Sequence, residues 1–509
     1  MMAGVLLSRL AGYARDALIA WLFGAGPATD AYYAAFTLPD LLNYMVAGGA
    51  LSVAFLPIFA RYLSEDREAE GWRVFSVVAT TLGLLLVALL VPAWLLADRI
   101  VPLLFPGFPP ETVALAVRLT RIVMPAQVAF VIGGVIASTL YAKERFLAPA
   151  LAPLLYNLSI IAFGLALHRA VGIEGFAWGV LIGAFIGPLG LPLLAARSEL
   201  RYRPALAPRD PGFLEFMKLA LPLMIGFSLL TVDEWIGRYF GSAWPGTVTH
   251  LNNARRLMLV PIAVLGQAAG MATLPFLAKL HASGDEAERD RLLGLSLRSV
   301  AQVMVAAAGG LALLAVPAVR LVYGWGAYGA EDVGATATLL VFYCLGIPAW
   351  GMQAIAVRAF YAARDTLTPM IIATLITLAM LPIYGALAAA MGPAGLALAS
   401  AIGITANAKA TMWALSRRGI RPGLLGLAGT TARALVACAA GGGAGLFVVR
   451  LVGEALPATE LGGALAAAVA GGGAYVAVVL LLAGPLRLEE TAALLRRIKA
   501  RYGGPKAKA

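Results

Sequence analysis

Cysteine and histidine are nearly absent: Cys344, Cys438, His168, His250 and His281 are the whole supply in 509 residues. Both cysteines sit in apolar runs and the histidines are far apart, so there is no disulfide framework and no metal-binding spacing. No P-loop, zinc-binding His pair, nucleophile elbow or acidic pair in a recognisable loop context occurs either. An enzyme is therefore not expected, nor a bound cofactor or metal, and any transport would have to draw on a membrane potential or an ion gradient. Charge is scarce as well. Only 13% of the residues are charged and 61% are hydrophobic, against about 25% charged in an average soluble domain. That excludes a soluble globular protein and predicts an all-α polytopic membrane protein. The net charge of +12 comes without any nucleic-acid-binding motif, and no nucleic-acid partner is expected. Basic loops facing the cytoplasm account for it.

Apolar runs bounded by charge or by Pro and Gly predict about 14 transmembrane helices. They lie near 2–23, 31–60, 73–97, 113–141, 149–168, 173–195, 213–240, 248–279, 293–322, 334–361, 368–391, 393–416, 428–452 and 461–484. Loops on one side carry Arg61, Arg67, Lys143, Arg145, Arg197, Arg201, Arg289 and Arg417. The alternate loops hold little beyond Arg99, Arg169, Arg320 and Arg450. That asymmetry predicts both termini in the cytoplasm. The first span lacks a basic leader and a small-residue cleavage site, so it is expected to be retained. The basic tail, residues 486–509, is expected to lie on the anionic inner leaflet.

The chain repeats itself. LPIFARYLSEDREAE, containing Pro57, resembles LPFLAKLHASGDEAE, containing Pro275, at an offset of 218. LYAKERFLAP, ending at Pro149, resembles FYAARDTLTP, ending at Pro369, and GIEGFAWGVLIG from Gly172 resembles GPAGLALASAIG from Gly392, both at 220. The period holds six spans, an even number, so the halves share one orientation. Two parallel six-helix repeats with a substrate path between them form a known transporter architecture. The expected organisation is an N-lobe at 1–196, a C-lobe at 213–418, two extra helices at 427–485 bordering a lipid-tail groove, and the tail.

The first span carries Arg9, Arg15 and Asp16 in otherwise apolar sequence. Each such charge near mid-helix costs about 2.5–3.5 kcal/mol if it faces lipid. The charges must therefore face a polar interior, and a cationic interior suits an anionic cargo. Arg9 and Asp16 are seven residues apart and share nearly one face; Asp30 follows after a short break. In the second half Thr249, Asn252, Asn253 and Arg256 recur at helical spacing, and Gln267 falls on the same face of an ideal helix. Arg9 and Arg15 from one half and Arg256 from the other are expected to face each other across the cavity and bind substrate. Guanidinium suits a phosphate group because its planar fork donates bidentate hydrogen bonds and never deprotonates. Asp16 and Asp30 either orient those arginines or gate the cavity. Arg118, Arg121 and Arg358, near span ends, are expected to tie helices together, and Glu234 and Arg238 to form an internal i, i+4 ion pair. Asp233 is a weak candidate for a coupling-cation site, since the eleventh span offers only Thr374 and Thr377.

The stretch LLSRLAGYARDALIAWLFGAGPATDAYYAAFTLPDLL, with GALSVAFLPIFARYL, NNARRLMLVP and FYAARDTLTP, resembles the MurJ (MviN) family of lipid II flippases. That family lies within the multidrug/oligosaccharidyl-lipid/polysaccharide exporter superfamily. The resemblance covers essentially the whole chain. It implies that Arg9, Arg15, Asp30 and Arg256 match functionally required positions, with Asp16 accompanying Arg15. It implies a flippase acting as a monomer in the bacterial inner membrane. The cargo would be lipid II or a related polyprenyl-diphosphate glycolipid, moved from the inner to the outer leaflet by alternating access among membrane lipids. The chain departs from the family where Asn43 or Tyr44 and Thr37 stand at usually basic positions and Gly48 at a usual glutamate. Asn43 is expected to line the cavity and lend it shape rather than charge. Alternatives are a flippase for another polyprenyl-diphosphate glycan and a drug/cation antiporter of the same superfamily, with a membrane glycan polymerase last.

Overall fold

Helix is the only regular structure among the described residues, as an apolar phase demands, because a backbone in hydrocarbon must satisfy its own N–H and C=O groups. The computed structural model describes residues 2–47, 50–225, 229–456 and 460–488. The first half runs α1 (Met2–Phe23), α2 (Pro27–Ala34), α3 (Thr37–Ala47), α4 (Ala50–Ser64), α5 (Glu68–Leu95) and α6 (Ala97–Leu104). It continues through α7 (Pro110–Val123), α8 (Ala126–Ala142), α9 (Leu147–Val171) and α10 (Glu174–Ala184), which passes through a π turn at Phe185–Gly190 into α11 (Leu191–Ala196). The second half runs α12 (Pro211–Ile225), α13 (Leu229–Gly241), α14 (Thr247–Pro261), a π turn at Ile262–Gly266, and α15 (Gln267–Ser283). Then come α16 (Glu286–Leu313), α17 (Ala315–Val322), α18 (Ala330–Cys344), α19 (Ile347–Ala362), α20 (Leu367–Met391) and α21 (Pro393–Arg417). The last two are α22 (Leu424–Ala455) and α23 (Leu461–Ala483).

Among the described residues, nine continuous helical stretches are long and apolar enough to cross a bilayer, and α18 with α19, bent by 43°, makes a tenth. The protein is a multi-pass membrane protein. Its outward faces carry what a soluble protein hides: Leu367, Ile371, Leu375 and Leu378 form an exposed stripe along α20, the inverse of a soluble amphipathic helix. The apolar run 31–60 is not one helix but parts of α2, α3 and α4. The run 293–322 breaks at Leu314 into α16 and α17. Apolar composition alone does not register such breaks, because both sides of each are equally hydrophobic.

The repeat reaches down to the backbone. Helices α5 and α16 have 28 residues each and start 218 apart; α9 and α20 have 25 each and start 220 apart. Both α9 and α20 end on a glycine with a positive φ, Gly172 (φ 61°, ψ −138°) and Gly392 (φ 60°, ψ −142°). Glu144 and Arg364, also 220 apart, take the left-handed conformation at φ 56° and 59° without being glycine. Each is followed by the same 6→1 closing bond, Arg145 N–H to Leu140 O at 2.8 Å and Asp365 N–H to Phe360 O at 2.9 Å. Asp66 and Gly284, 218 apart, repeat the device.

The chain folds into two compact units. The first comprises Met1–Phe227, Arg238–Thr249 and Trp325–Tyr328; the second comprises Ser228–Gly237, His250–Gly324 and Gly329–Ala509. In the first, an aromatic cluster centres on Phe55, Phe59, Trp72, Phe75 and Phe216, with Phe59 and Trp72 edge to face at 5.1 Å. Ala327 N–H donates to Trp21 O at 2.9 Å. Neighbouring Gly326, at φ +57°, comes so close to Trp21 that a Cβ would sit 2.5 Å from that same carbonyl oxygen, so only glycine fits there. In the second unit α22 and α23 pack on α16, and Tyr475 on α23 donates to Ala306 O at 2.7 Å.

Candidate functional site

Small residues on α1 bring it close to α9: a Cβ on Gly4 would meet Ala150 O at 3.2 Å, and Gly12 sits beside Asn157. That approach places Arg15 against α9. Its Nε donates to Asp16 Oδ1 at 2.9 Å, Nη2 lies 2.8 Å from the same oxygen, and Nη1 donates to Asn157 Oδ1 at 3.1 Å. The Arg15 side chain is 12% exposed and the Asp16 side chain is fully buried. A guanidinium has five N–H donors, so Arg15 keeps donors to spare after these contacts. Arg9 is exposed and has no hydrogen-bond or ion-pair partner among the described residues. Spacing pointed to Asp16 sharing a face with Arg9; the structure pairs it with its neighbour Arg15, whose long side chain folds back to reach it.

Asp30, 1% exposed, serves backbone rather than guanidinium. Its Oδ2 accepts from Gly246 N–H at 2.6 Å, and its Oδ1 from Thr249 N–H at 2.8 Å and Thr249 Oγ1 at 2.7 Å. These are first-turn donors of α14, which have no partner within their own helix, and an anion there is favoured by the helix dipole. Asp30 thus caps, from α2, the helix that carries Arg256. On α14 Thr249 and Asn253 are buried, Asn252 is half-buried and donates to Asn253 Oδ1 at 3.3 Å, and Arg256 is half-buried. The π turn at Ile262–Gly266 shifts the phase of everything beyond it, so Gln267 leaves the face set by Thr249 and Arg256. It is exposed and accepts from Arg358 Nη2 at 3.0 Å.

Asp233 on α13 is 8% exposed and collects three donors: Arg255 Nη1 and Ser400 Oγ (2.8 Å) on Oδ2, and the Tyr384 hydroxyl on Oδ1. Arg255, Tyr384 and Ser400 escaped the sequence reading. Arg255 stands next to Arg256 and was overshadowed by it, and no spacing links α13 to α20 and α21. Glu234 lies 3.9 Å from Arg255 Nε. Arg238, 6% exposed, donates from Nη1 to Thr37 Oγ1 at 3.0 Å, which puts a guanidinium at a position where the family resemblance leads one to expect a basic residue. Asn43 is half-buried on α3; Gly48 lies outside the described residues, as does most of the tail. The span-end arginines do tie helices: Arg118 reaches Glu174 at 3.3 Å, Arg121 binds Asp98 and stacks 5.2 Å from the Trp94 ring, and Arg358 reaches Gln267.

This arrangement, with cations embedded in apolar helices and held by buried carboxylates, has relatives. The family model described as lipid II flippase MurJ matches residues 19–459. The chain is similar to the lipid II flippase MurJ of Burkholderia cenocepacia, at 31% identity over 424 residues and 82% of each chain. It is similar to the probable lipid II flippase MurJ of Thermotoga maritima, at 27% over 411 residues, 79% of this chain and 82% of the other. A solved structure described as lipid II flippase MurJ in an inward closed conformation matches with a TM-score of 0.77 at 24% identity, over 95% of this chain and 99% of that one. An inward-facing multidrug resistance transporter of the MATE family, MOP superfamily, matches at 0.65 and 17% identity, over 81% and 94%. These likenesses extend the shared fold beyond flippases.

Proposed function

The chain belongs to the lipid II flippase MurJ family, and on that premise we propose that it moves lipid II from the inner to the outer leaflet of the bacterial cytoplasmic membrane. It is a transporter working by alternating access, with both termini in the cytoplasm. Arg9, Arg15 and Arg256 bind the diphosphate. Asp16 and Asn157 orient Arg15, and Asp30 fixes the start of the helix that bears Arg256. Half-buried Asn43 and Asn252 offer neutral polar contacts to the headgroup, with buried Thr249 and Asn253 behind them on α14, and the apolar outer faces of α22 and α23 border the lipid tail. The observation that carries this reading is Arg15: a guanidinium in an apolar span, clamped by two partners yet left with N–H donors for an anion. Helix α1 would be cheaper to insert without it.

No ATPase is required. Moving negative charge outward is favoured by an inside-negative potential, by about 2.3 kcal/mol per charge per 100 mV, so voltage alone supplies a drive. The test is depletion of the native flippase in a bacterial host, expression of this chain, and assay of lipid II in each leaflet. Restored growth with lipid II reaching the outer leaflet is the expected result. Lipid II trapped inside, with this chain correctly inserted, overturns the reading and favours a related polyprenyl-diphosphate glycan or a drug/cation antiporter.

A further inference from the structure

Asp233 is a buried carboxylate within a helical unit, and the hydroxyls of Tyr384 and Ser400 both donate to it. The adjoining cavity is lined by Ile236, Trp350, Thr377, Met380, Tyr384 and Ser400 and has room for about one water, the size class of a small monovalent cation. Its oxygen-bearing side chains are Asp233, Thr377, Tyr384 and Ser400. Oxygen donors of this kind suit a hard cation. Yet the carboxylate already holds a cation. Arg255, on the next helix, places Nη1 on Oδ2, with its side chain 6% exposed. A free cation added beside this pair would bring a second positive charge into a mostly apolar cavity already neutral around Asp233, at a steep desolvation cost. Glu234 does not offset that. It meets the other edge of the guanidinium at 3.9 Å, its side chain is 36% exposed, and it does not line the cavity.

We infer that Arg255 is a built-in counter-cation for Asp233: its guanidinium holds, permanently, the place beside the Asp233 carboxylate that a monovalent cation would take, with Ser400 and Tyr384 as the other oxygen groups on that carboxylate. The unit therefore stays in its cation-occupied form whatever the ionic composition outside. Removing the guanidinium leaves the oxygen ligands in place and opens the site to a free ion. For translocation, a consequence that rests on the function proposed above, the protein responds to membrane potential and ignores a sodium or potassium gradient.

Thermal unfolding of the purified full chain separates this inference from the flippase reading, because it needs no cargo. The wild type is compared in NaCl, KCl and choline chloride at equal ionic strength, and its midpoint is expected to be the same in all three. Arg255→Met is expected to unfold several degrees lower in choline, and to recover most of that loss in NaCl or KCl by mass action. Specific stabilisation of the wild type by either metal ion overturns the inference, as does an Arg255→Met variant that ignores both. If Arg255→Met does not fold, the double variant with Asp233→Asn decides the matter. Removing both charges restores a folded, cation-indifferent protein if the two are partners, and failure of the double variant to fold refutes the pairing.

Discussion

Asn157 accepts from Arg15 Nη1 at 3.1 Å while its own amide nitrogen donates to the Pro153 carbonyl at 2.9 Å. The second bond fixes which end of the amide faces Arg15, so the guanidinium is aimed by α9 as well as by Asp16. Hydrogen bonds to charged groups are worth about 1.5–3 kcal/mol. Asn157→Leu is expected to lower the rate of lipid II translocation at least tenfold at normal protein level, and Asn157→Gln to recover part of it. A rate in reconstituted vesicles equal to wild type for Asn157→Leu removes Asn157 from the positioning of Arg15.

Arg9→Ala, Arg15→Ala and Arg256→Ala are each expected to abolish flipping while the protein still inserts and folds. Lysine at these positions is expected to restore activity only in part, since it keeps the charge and loses the planar fork. Growth of a flippase-depleted strain is the readout. Full growth with any alanine variant excludes that arginine from the anion site.

Asp30→Ala deprives the first turn of α14 of its cap and leaves buried N–H donors unmet. A lost cap costs about 0.5–2 kcal/mol, and this one is fully buried, so the upper end is expected. Asp30→Asn keeps one acceptor oxygen for Thr249 but turns an NH2 donor toward the Gly246 N–H, so it is expected to recover only part of the stability. Thermal unfolding of the two variants side by side measures the difference; equal midpoints for alanine and wild type dismiss the capping role.

Asn43→Arg is expected to complement growth at least as well as wild type. A cation added to an anion-binding cavity needs no partner beyond the anion, and Arg238 already brings one to Thr37. With a cationic cargo the same change repels the substrate. Clear loss of complementation by a correctly inserted variant points to that alternative.

Outside the spans, Lys143 binds Glu68 at 2.6 Å and Glu199 at 2.7 Å, and its hydrogen bond holds the Glu199 carboxyl below its usual value of 4.5. A depressed carboxylate pKa stabilises the fold above the unfolded pKa, and that stabilisation is lost as pH falls through the folded one. Glu199 is partly exposed, so the effect is at most about 1 kcal/mol. Lys143→Met is expected to flatten the fall in unfolding midpoint below pH 4.5 and to leave it unchanged in shape near neutrality.

Much of this protein is legible in one sequence because the bilayer enforces it. Arg9, Arg15 and Asp16 stand out on α1 through the cost of keeping them there, and Gly172 and Gly392 announce the repeat through their matching surroundings. Three things were hidden. The cap from Asp30 to Thr249 joins residues 219 apart, with no periodicity between them. Gln267 was placed by ideal helical phase, which the π turn at Ile262–Gly266 resets. Arg255 was masked because the stripe logic assigns one face to Arg256, while the adjacent residue points about 100° away, toward Asp233.

Glu144 and Arg364 have opposite charges and the same left-handed backbone, 220 residues apart. The side chains of this hairpin differ between the halves while its path is the same, at a conformational cost of roughly 1–2 kcal/mol per non-glycine residue. The two hairpins are thus one backbone design used twice. The segment from Tyr141 to Pro149 and the segment from Tyr361 to Pro369 have equal length, closing bonds and proline placement, so a graft of one in place of the other is expected to leave the number and direction of the following helices unchanged.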